Sequence, residues 1–493
     1  MSARPLPSGP PSAQGVDALG VLGFLDAVEA DPVVEPHSLM ILRHGRLVAS
    51  GWWAPYTPGR KQLLYSLSKS FTSTAAGFAV AEGLVGLDDT VLSYFPEFDA
   101  EVTDPRSRSM RVRDVAAMAS GHAQETYERA HALDPEDLLR GFLLLPPDHD
   151  PGSVFAYNQP ATYALAAVLR RVTGVPLTAW LRPRLLDPLG IGEVAWQSDR
   201  SGRELGFSGL HATTDAVARL GQLYLDDGVH EGERLLPAEW IAEATRAHVA
   251  TAAPTTAAAD PADWERGYGF QFWRSRHGYR GDGAYGQFCL VLPEHDAVIA
   301  TTAATNDMQA LLTLVWEHLL PAFGPHPLTG REEADAALAR RLAHLALPPA
   351  PGSPAPPRGA GPWSGAGFAP GDGDGEGDGG GGPRGLRGAV VERGADGWTL
   401  VLVEGPHGRR LELPLGTGGW RVAEEPLPTA VSGGWTDEDT LAAHIVFLET
   451  PHRLRVTCSL SAGTLTARWD TEPLHGGPLR RMRAPRGPAA SAG

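Results

Sequence analysis

The sequence predicts an α+β protein in which an antiparallel sheet flanked by helices is followed by a small all-β domain. Up to residue 325 the hydrophobic patterns come in the order hairpin, helical block, antiparallel strands and helix, which favours such a sheet together with an all-helical region. A stretch rich in proline and glycine at 348–362 is typical of a linker. Beyond it, short apolar runs between turn residues predict strands and no helix.

The first domain is expected over residues 16–325, after a proline-, serine- and glycine-rich start at 1–15 that is predicted to be disordered. Its two hairpins are expected to turn at 44–45 and 294–296. In chain order, the spacing of apolar residues predicts a helix over 15–29, a hairpin over 37–53, a helix from Ser66 or Ser68 to Glu82, helices over 161–174 and 213–228, a strand over 268–276, a hairpin over 287–305 and a helix over 308–323.

A short helix and the linker are expected over 326–362, and the all-β domain over 363–486. Its clearest strand patterns lie at 398–405, 409–416, 442–451 and 454–470. Nothing in these patterns decides whether the domain gates substrate, forms a dimer or stabilises the fold.

An acidic, glycine-rich insertion spans 371–383. Its acidic residues alternate like the ligands of a calcium-binding loop: Asp372, Asp374, Glu376 and Asp378. Such a loop needs a glutamate at its twelfth position, and counting from Asp372 that position holds Pro383. We therefore interpret the segment as an acidic insertion, and the sequence predicts no metal and no organic cofactor.

Composition excludes several classes of protein. With 493 residues, of which 42% are hydrophobic and 20% charged, the chain can bury a sizeable core. A net charge of −16 argues against a nucleic-acid-binding surface. The only cysteines, Cys289 and Cys458, lie too far apart in sequence to indicate a disulfide framework. With no signal-peptide pattern and no apolar run of about 18 residues, we expect a cytoplasmic protein without a membrane partner.

The sequence YSLSKS contains the most informative pair of side chains, Ser66 and Lys69. Lysine is rare here, since the 42 basic residues include only Lys61 and Lys69. Residues three apart share one face of a helix, so the Ser66 hydroxyl and the Lys69 ammonium can meet. A helix N-terminus also offers unpaired N–H groups and a positive dipole. Burial could lower the pKa of Lys69 enough for it to activate the serine, which arginine could not do.

Five segments in order resemble the serine β-lactamase and penicillin-binding-protein superfamily, in its class C and esterase branch. The first continues from YSLSKS into EGLVGLDDTVLSYFPEF, and the second, MRVRDVAAMASGH, is similar to the family's T-I-R-D-L-L-x-x-T-S-G. The others are PGSVFAYNQPATYALAAVLRRVTG, GFSGLHATTDAVARLGQLYLDDG and RGDGAYGQFCLVLPEHDAVIA. The match as a whole spans roughly residues 20–325.

The resemblance implies roles for three side chains. Ser66 matches the nucleophile that is acylated, and Lys69 matches its partner base. Tyr157 matches the tyrosine of the second motif, a phenol that can act as a general base when positive groups lie beside it. The third residue of that motif is normally asparagine, but Gln159 stands there, with Asn158 one place earlier. Either amide could contact the substrate carbonyl or Lys69.

The third motif departs further from the family pattern. The family's strand usually carries K-T-G or H-x-G, and the aligned residues here are Gly281, Asp282 and Gly283. The cationic side chain that would bind a substrate carboxylate is therefore missing at position 281, and Asp282 would repel such a carboxylate. The backbone role is expected to survive, with the N–H groups of Ser66 and Ala284 forming the oxyanion hole.

The resemblance therefore implies a serine hydrolase that forms an acyl-enzyme at Ser66. The expected substrates are esters or amides of small molecules, with weak or no β-lactamase activity. Two alternatives remain open from the sequence. One is an acyltransferase on the same fold, in which an alcohol or amine replaces water. The other is a binding or regulatory protein that has kept the fold without activity.

Overall fold

The structure is a computed structural model that describes residues 5–251, 262–371 and 381–486. The strands of the first part are β1 (Glu35–Arg43), β2 (Arg46–Trp52), β3 (Gln62–Leu63), β4 (Ala195–Trp196), β5 (Leu210–Ala212), β6 (Val229–His230), β7 (Glu233–Arg234), β8 (Trp273–Arg274), β9 (Tyr279–Gly283), β10 (Gln287–Leu292) and β11 (Ala297–Ala304). Six of them form one sheet in the order β2-β1-β11-β10-β9-β8, with antiparallel neighbours throughout.

Helices cover this sheet and build a separate helical region beside it. In chain order they are α1 (Ala18–Ala30), α2 (Ser68–Ala81), α3 (Pro105–Ser109), α4 (Val112–Ala116), α5 (Tyr127–Leu133), α6 (Leu138–Leu144), α7 (Gln159–Thr173), α8 (Leu177–Leu181), α9 (Thr214–Leu225), α10 (Ala238–Thr245), α11 (Met308–Leu314) and α12 (Glu332–Leu342). The helix predicted over 308–323 is confirmed as far as Ala322, since a π-helical turn (Val315–Leu319) and a 3₁₀ turn (Leu320–Ala322) follow α11 directly.

Both faces of the sheet are buried, because successive side chains of a strand point to opposite sides. Leu39 and Ile41 of β1 pack in a core shared with α1 and α11. Met40 and Leu42 pack in the other core, with α2, α7 and α9. The sheet therefore holds α2 firmly on one face.

The second part of the chain is a barrel of strands. They are β12 (Ala366–Pro370), β13 (Leu386–Gly394), β14 (Gly397–Glu404), β15 (Arg409–Thr417), β16 (Arg421–Ala423), β17 (Thr429–Trp435), β18 (Thr440–Phe447), β19 (Arg453–Ser459) and β20 (Thr464–Trp469). They form one sheet in the order β15-β14-β13-β12-β20-β19-β18-β17-β16, and an added pairing of β15 with β17 closes it. Its interior is a separate apolar core.

The barrel is packed directly on the first domain. Ala430, Val446 and Leu448 of the barrel are buried in the same core as α1 and α11. The backbone N–H of Leu63 in β3 donates to the carbonyl of Glu449 over 2.9 Å. β3 immediately precedes the turn that carries Ser66, so the barrel contacts the chain close to the predicted nucleophile.

Two predictions about local structure are corrected. Disorder was expected over 1–15, but residues 5–15 are ordered: Pro7 and Gly9 pair with Leu47 on the free edge of β2. The strand expected over 268–276 is reduced to β8, because Gln271 has a φ of +63°. Its amide donates to the Ala116 carbonyl and accepts from Thr162, which favours this bend over an extended strand.

The acidic residues of the insertion at 371–383 lie outside the described residues. Over the part that the structure describes, no single helix is long and apolar enough to cross a membrane. One bent pair of helices, Gln159–Thr173 and Leu177–Leu186, meets the length and composition criteria when the two are counted together.

Candidate active site

Ser66 lies in one turn of 3₁₀ helix, Tyr65–Leu67, which leads directly into α2. Tyr65 has a φ of +48°, a left-handed conformation that residues other than glycine seldom adopt. Ser68 fixes the turn, since its hydroxyl donates to the Tyr65 carbonyl and accepts the backbone N–H of Leu210. Strain of this kind persists where surrounding contacts hold it, and it is common at functional sites.

Lys69 is buried, with 1% of its surface exposed, and its ammonium donates to three oxygens. These are Ser66 Oγ at 3.0 Å, Gln159 Oε1 at 2.7 Å and the Phe207 carbonyl at 2.8 Å. Burial lowers the pKa of Lys69 to about 7, although the carboxylates of Asp282 and Glu125 act in the opposite direction. A lysine with this pKa can accept and release a proton near neutral pH.

Tyr157 lies against both Ser66 and Lys69. The Lys69 Nζ is 4.7 Å from the centre of its ring, and the ring stacks on Trp273. Burial and the charge of Asp282 raise the pKa of Tyr157 well above its usual range, while its interaction with Ser66 acts the other way. The phenol is therefore protonated at neutral pH. The general-base role that the resemblance implied for Tyr157 stays a prediction.

The two neighbouring amides have different positions. Gln159, at the first turn of α7, accepts from Lys69, and its backbone N–H donates to Glu125 Oε1 at 3.0 Å. Asn158 is fully buried, and its Oδ1 accepts from the backbone N–H and hydroxyl of Thr126. Asn158 therefore holds a loop, and the prediction that it could contact substrate is not met by its geometry.

Asp282 is held by two neighbouring side chains. Its Oδ2 accepts from Trp264 Nε1 at 3.0 Å and from Arg280 Nε at 3.1 Å. Arg280 is completely buried, so the pair is an internal one. Burial raises the pKa of Asp282, and Arg280 opposes that rise. The repulsion of a substrate carboxylate expected from the sequence is reduced accordingly. Trp264 lies outside the five segments, and Arg280 begins the fifth segment without an expected role.

Gly281 and Gly283 let β9 lie directly on the turn that carries Ser66. A Cβ added to Gly283 would lie 2.0 Å from the Leu64 carbonyl oxygen, and one on Gly281 would lie 2.5 Å from Leu67 Cδ1. Ala284, which follows, packs against Tyr65. The two glycines therefore serve close packing, and they bring Ala284 beside the nucleophile turn.

The barrel contributes to the surroundings of Ser66 through two tyrosines. The Tyr65 hydroxyl and His452 Nε2 are 2.6 Å apart, and the Tyr285 hydroxyl donates to the Glu472 carbonyl. Burial lowers the pKa of His452 to about 3, so its ring is neutral. No sequence pattern linked His452 to Ser66, because the two are brought together only by the docking of the barrel.

The Beta-lactamase family matches residues 37–322, more than half of the chain, and the protein belongs to that family. It is 27% identical over 288 residues to the 6-aminohexanoate-dimer hydrolase of Paenarthrobacter ureafaciens, a match covering 55% of this chain and 73% of that protein. It is 27% identical over 215 residues to Esterase EstB of Burkholderia gladioli, covering 38% of this chain and 55% of that protein. The protein is an enzyme of the serine hydrolase class.

One solved structure supports the fold independently. It comes from Bacillus anthracis and is provisionally described as a 6-aminohexanoate-dimer hydrolase. It aligns with a TM-score of 0.50 at 19% identity and covers 64% of this chain and 87% of that one. The β-lactamase-like fold of the first domain is thereby confirmed.

Proposed function

We propose that the protein hydrolyses esters or amides of small molecules through an acyl-enzyme at Ser66. The observation that carries this proposal is the set of contacts made by Lys69, which joins Ser66, Gln159 and the Phe207 carbonyl while its pKa lies near 7. As a free base, Lys69 keeps two N–H groups for the amide and the carbonyl. Its lone pair then faces the Ser66 hydroxyl and can accept that proton.

Acylation follows from this arrangement. Ser66 Oγ attacks the substrate carbonyl carbon while its proton passes to Lys69 Nζ. The charge that forms on the carbonyl oxygen is stabilised by the backbone N–H groups of Ser66 and Ala284. The bond to the leaving group then breaks as the leaving oxygen or nitrogen takes the proton from Lys69, with the neutral phenol of Tyr157 as the relay. The acyl group remains on Ser66.

Deacylation uses the same groups in reverse. A water molecule attacks the acyl carbon and gives its proton to Lys69, with Tyr157 beside it. The bond to Ser66 Oγ breaks, the serine regains a proton and the carboxylic acid leaves. No cofactor is needed for either half of this cycle.

The names of the relatives support ester and amide substrates, since one is called a dimer hydrolase and the other an esterase. Efficient β-lactam hydrolysis is not proposed. Gly281 stands where a carboxylate-reading cation is expected, and the nearby Arg280 is fully buried against Asp282.

The experiment that tests the proposal compares 4-nitrophenyl acetate and butyrate turnover by the parent protein, Ser66→Ala and Ser93→Ala. Ser93 lies in the 3₁₀ turn Val91–Tyr94, where its hydroxyl donates to the Thr90 carbonyl. The proposal expects turnover by the parent and by Ser93→Ala and at least a thousandfold loss in Ser66→Ala. Equal turnover by all three proteins would overturn it.

A further inference from the structure

A cavity of about 1060 Å³ opens where the barrel meets the first domain. Three of its lining residues are the immediate chain neighbours of site residues: Tyr65 precedes Ser66, Tyr285 follows Ala284, and Ser208 follows the Phe207 carbonyl that binds Lys69. The cavity therefore borders the chain segments that carry these groups, and the rest of its wall comes mainly from the segment that follows β20.

The wall of this cavity is strongly basic, in contrast to a chain with a net charge of −16. Among the described residues, Glu472 is its only carboxylate. Its arginines are Arg384, Arg480, Arg481, Arg483 and Arg486. Such a concentration of one charge in a concave site attracts ligands of the opposite charge.

Two of these arginines converge on one turn. A Cβ placed on Gly476 would lie 3.8 Å from Arg384 Cδ, and one on Gly477 would lie 3.8 Å from Arg481 Cδ. Within the described ranges neither guanidinium has a carboxylate partner, whereas Arg486 is paired with Glu425. Both side chains are thus free to bind an anion by the paired N–H bonds that guanidinium groups form with carboxylates.

The same turn lies next to the proposed catalytic groups. His475 precedes the two glycines. Partial burial lowers the pKa of His475, and the positive charge of Lys69 lowers it further, whereas the Glu128 carboxylate raises it. The backbone N–H of Leu474 acts on the Tyr65 phenol, where it opposes the rise in pKa caused by burial. A substrate held at Ser66 can therefore extend toward Arg384 and Arg481.

We propose that this basic cavity binds a carboxylate of the substrate, with Arg384 and Arg481 as its ligands. This inference rests on the proposed function. It narrows the substrates to esters or amides that carry an anionic group on a spacer, placed in either the acyl half or the leaving half. The cations that bind the substrate carboxylate then come from the barrel side of the cavity, and the substrate specificity of the first domain depends on these arginines.

Matched esters test the proposal. The acyl arm compares 4-nitrophenyl hydrogen succinate, glutarate, adipate and suberate with their methyl esters. The leaving-group arm compares 4-acetoxybenzoate with its methyl ester. We expect one arm to show a preference for the anion of about tenfold or more in kcat/KM. That ratio should fall about tenfold in Arg384→Ala/Arg481→Ala and be retained in Arg387→Ala, whose side chain lies outside the cavity.

A binding measurement separates this proposal from the hydrolase assignment. Calorimetric titration of adipate and glutarate into Ser66→Ala requires no turnover. If Ser66→Ala binds these dicarboxylates and the triple variant Ser66→Ala/Arg384→Ala/Arg481→Ala does not, the cavity proposal is supported even if no ester is hydrolysed. The cavity proposal is overturned if charged and neutral esters have equal kcat/KM in both arms, or if the arginine changes do not affect binding. Either result would leave Ser66 as the nucleophile.

Discussion

The hydroxyl of Tyr65, the residue before Ser66, is 2.6 Å from Nε2 of His452 in the barrel. Tyr65 holds a left-handed backbone conformation, and both side chains are almost fully buried. A contact made by the barrel, 387 residues further along the chain, therefore fixes the backbone that carries the nucleophile. The barrel is part of the candidate active site in this sense.

We predict that His452→Ala lowers kcat by roughly tenfold while KM changes less, because the strained Tyr65 loses its partner and Ser66 is positioned less well. Leaving the buried O–H of Tyr65 without its acceptor should also cost about 1–3 kcal/mol in the free energy of unfolding. Steady-state ester kinetics and urea unfolding measure the two effects. His407→Ala is the control, since His407 is exposed in the turn between β14 and β15 and takes no part in the contact with Tyr65.

A double-mutant cycle with Tyr65→Phe makes this prediction sharper. The two changes should be clearly non-additive in kcat, because they remove the same contact. Additive effects would mean that the hydrogen bond does not position Ser66.

The pH dependence of kcat/KM should follow the protonation state of Lys69. Its free base is the active form, so kcat/KM should rise with pH through about 7. The Glu125 carboxylate stabilises the ammonium, and Glu125→Gln should therefore move the rising limb to lower pH by about half a unit or less. Glu128→Gln is the matched control, because Glu128 is not among the groups that act on Lys69. A limb that moves equally in both variants would contradict the assignment.

Substitution of Gln159 should change the pH profile, whereas substitution of Asn158 should change the free energy of unfolding. Gln159→Glu places an anion where Lys69 now donates to an amide, so the rising limb should move up by about 1–3 pH units. Asn158→Ala should mainly lower the free energy of unfolding, by about 1–3 kcal/mol, because it leaves Thr126 without its buried acceptor. The pH profile and urea unfolding of both variants test this, and a shifted limb in Asn158→Ala would count against it.

Gly283→Ala should reduce activity sharply. Its Cβ would lie 2.0 Å from a backbone oxygen, so β9 must move away from the turn that carries Ser66. Overpacking of this kind costs about 1–3 kcal/mol, and a displaced Ala284 N–H would lower kcat by tenfold or more. Gly59→Ala, with no atom near its added Cβ, is the control. Parent-like kcat in Gly283→Ala would exclude a role for this packing.

The order of elements in the first domain could be predicted because apolar spacing records which faces are buried. The helix after Ser66 and the hairpin of β10 and β11 are examples. Contacts between distant parts of the chain could not be predicted in this way. The Tyr65–His452 bond and the burial of Asp282 against Arg280 depend on docking and packing, which leave no periodic signal in the sequence.

The central claim is that Ser66 is an activated nucleophile, and intact-mass spectrometry after incubation with a fluorophosphonate tests it most directly. The account predicts a single adduct on the parent protein, formed faster as the pH rises through about 7, and absent in Ser66→Ala. No adduct on folded parent protein, or an adduct that persists in Ser66→Ala, would contradict it.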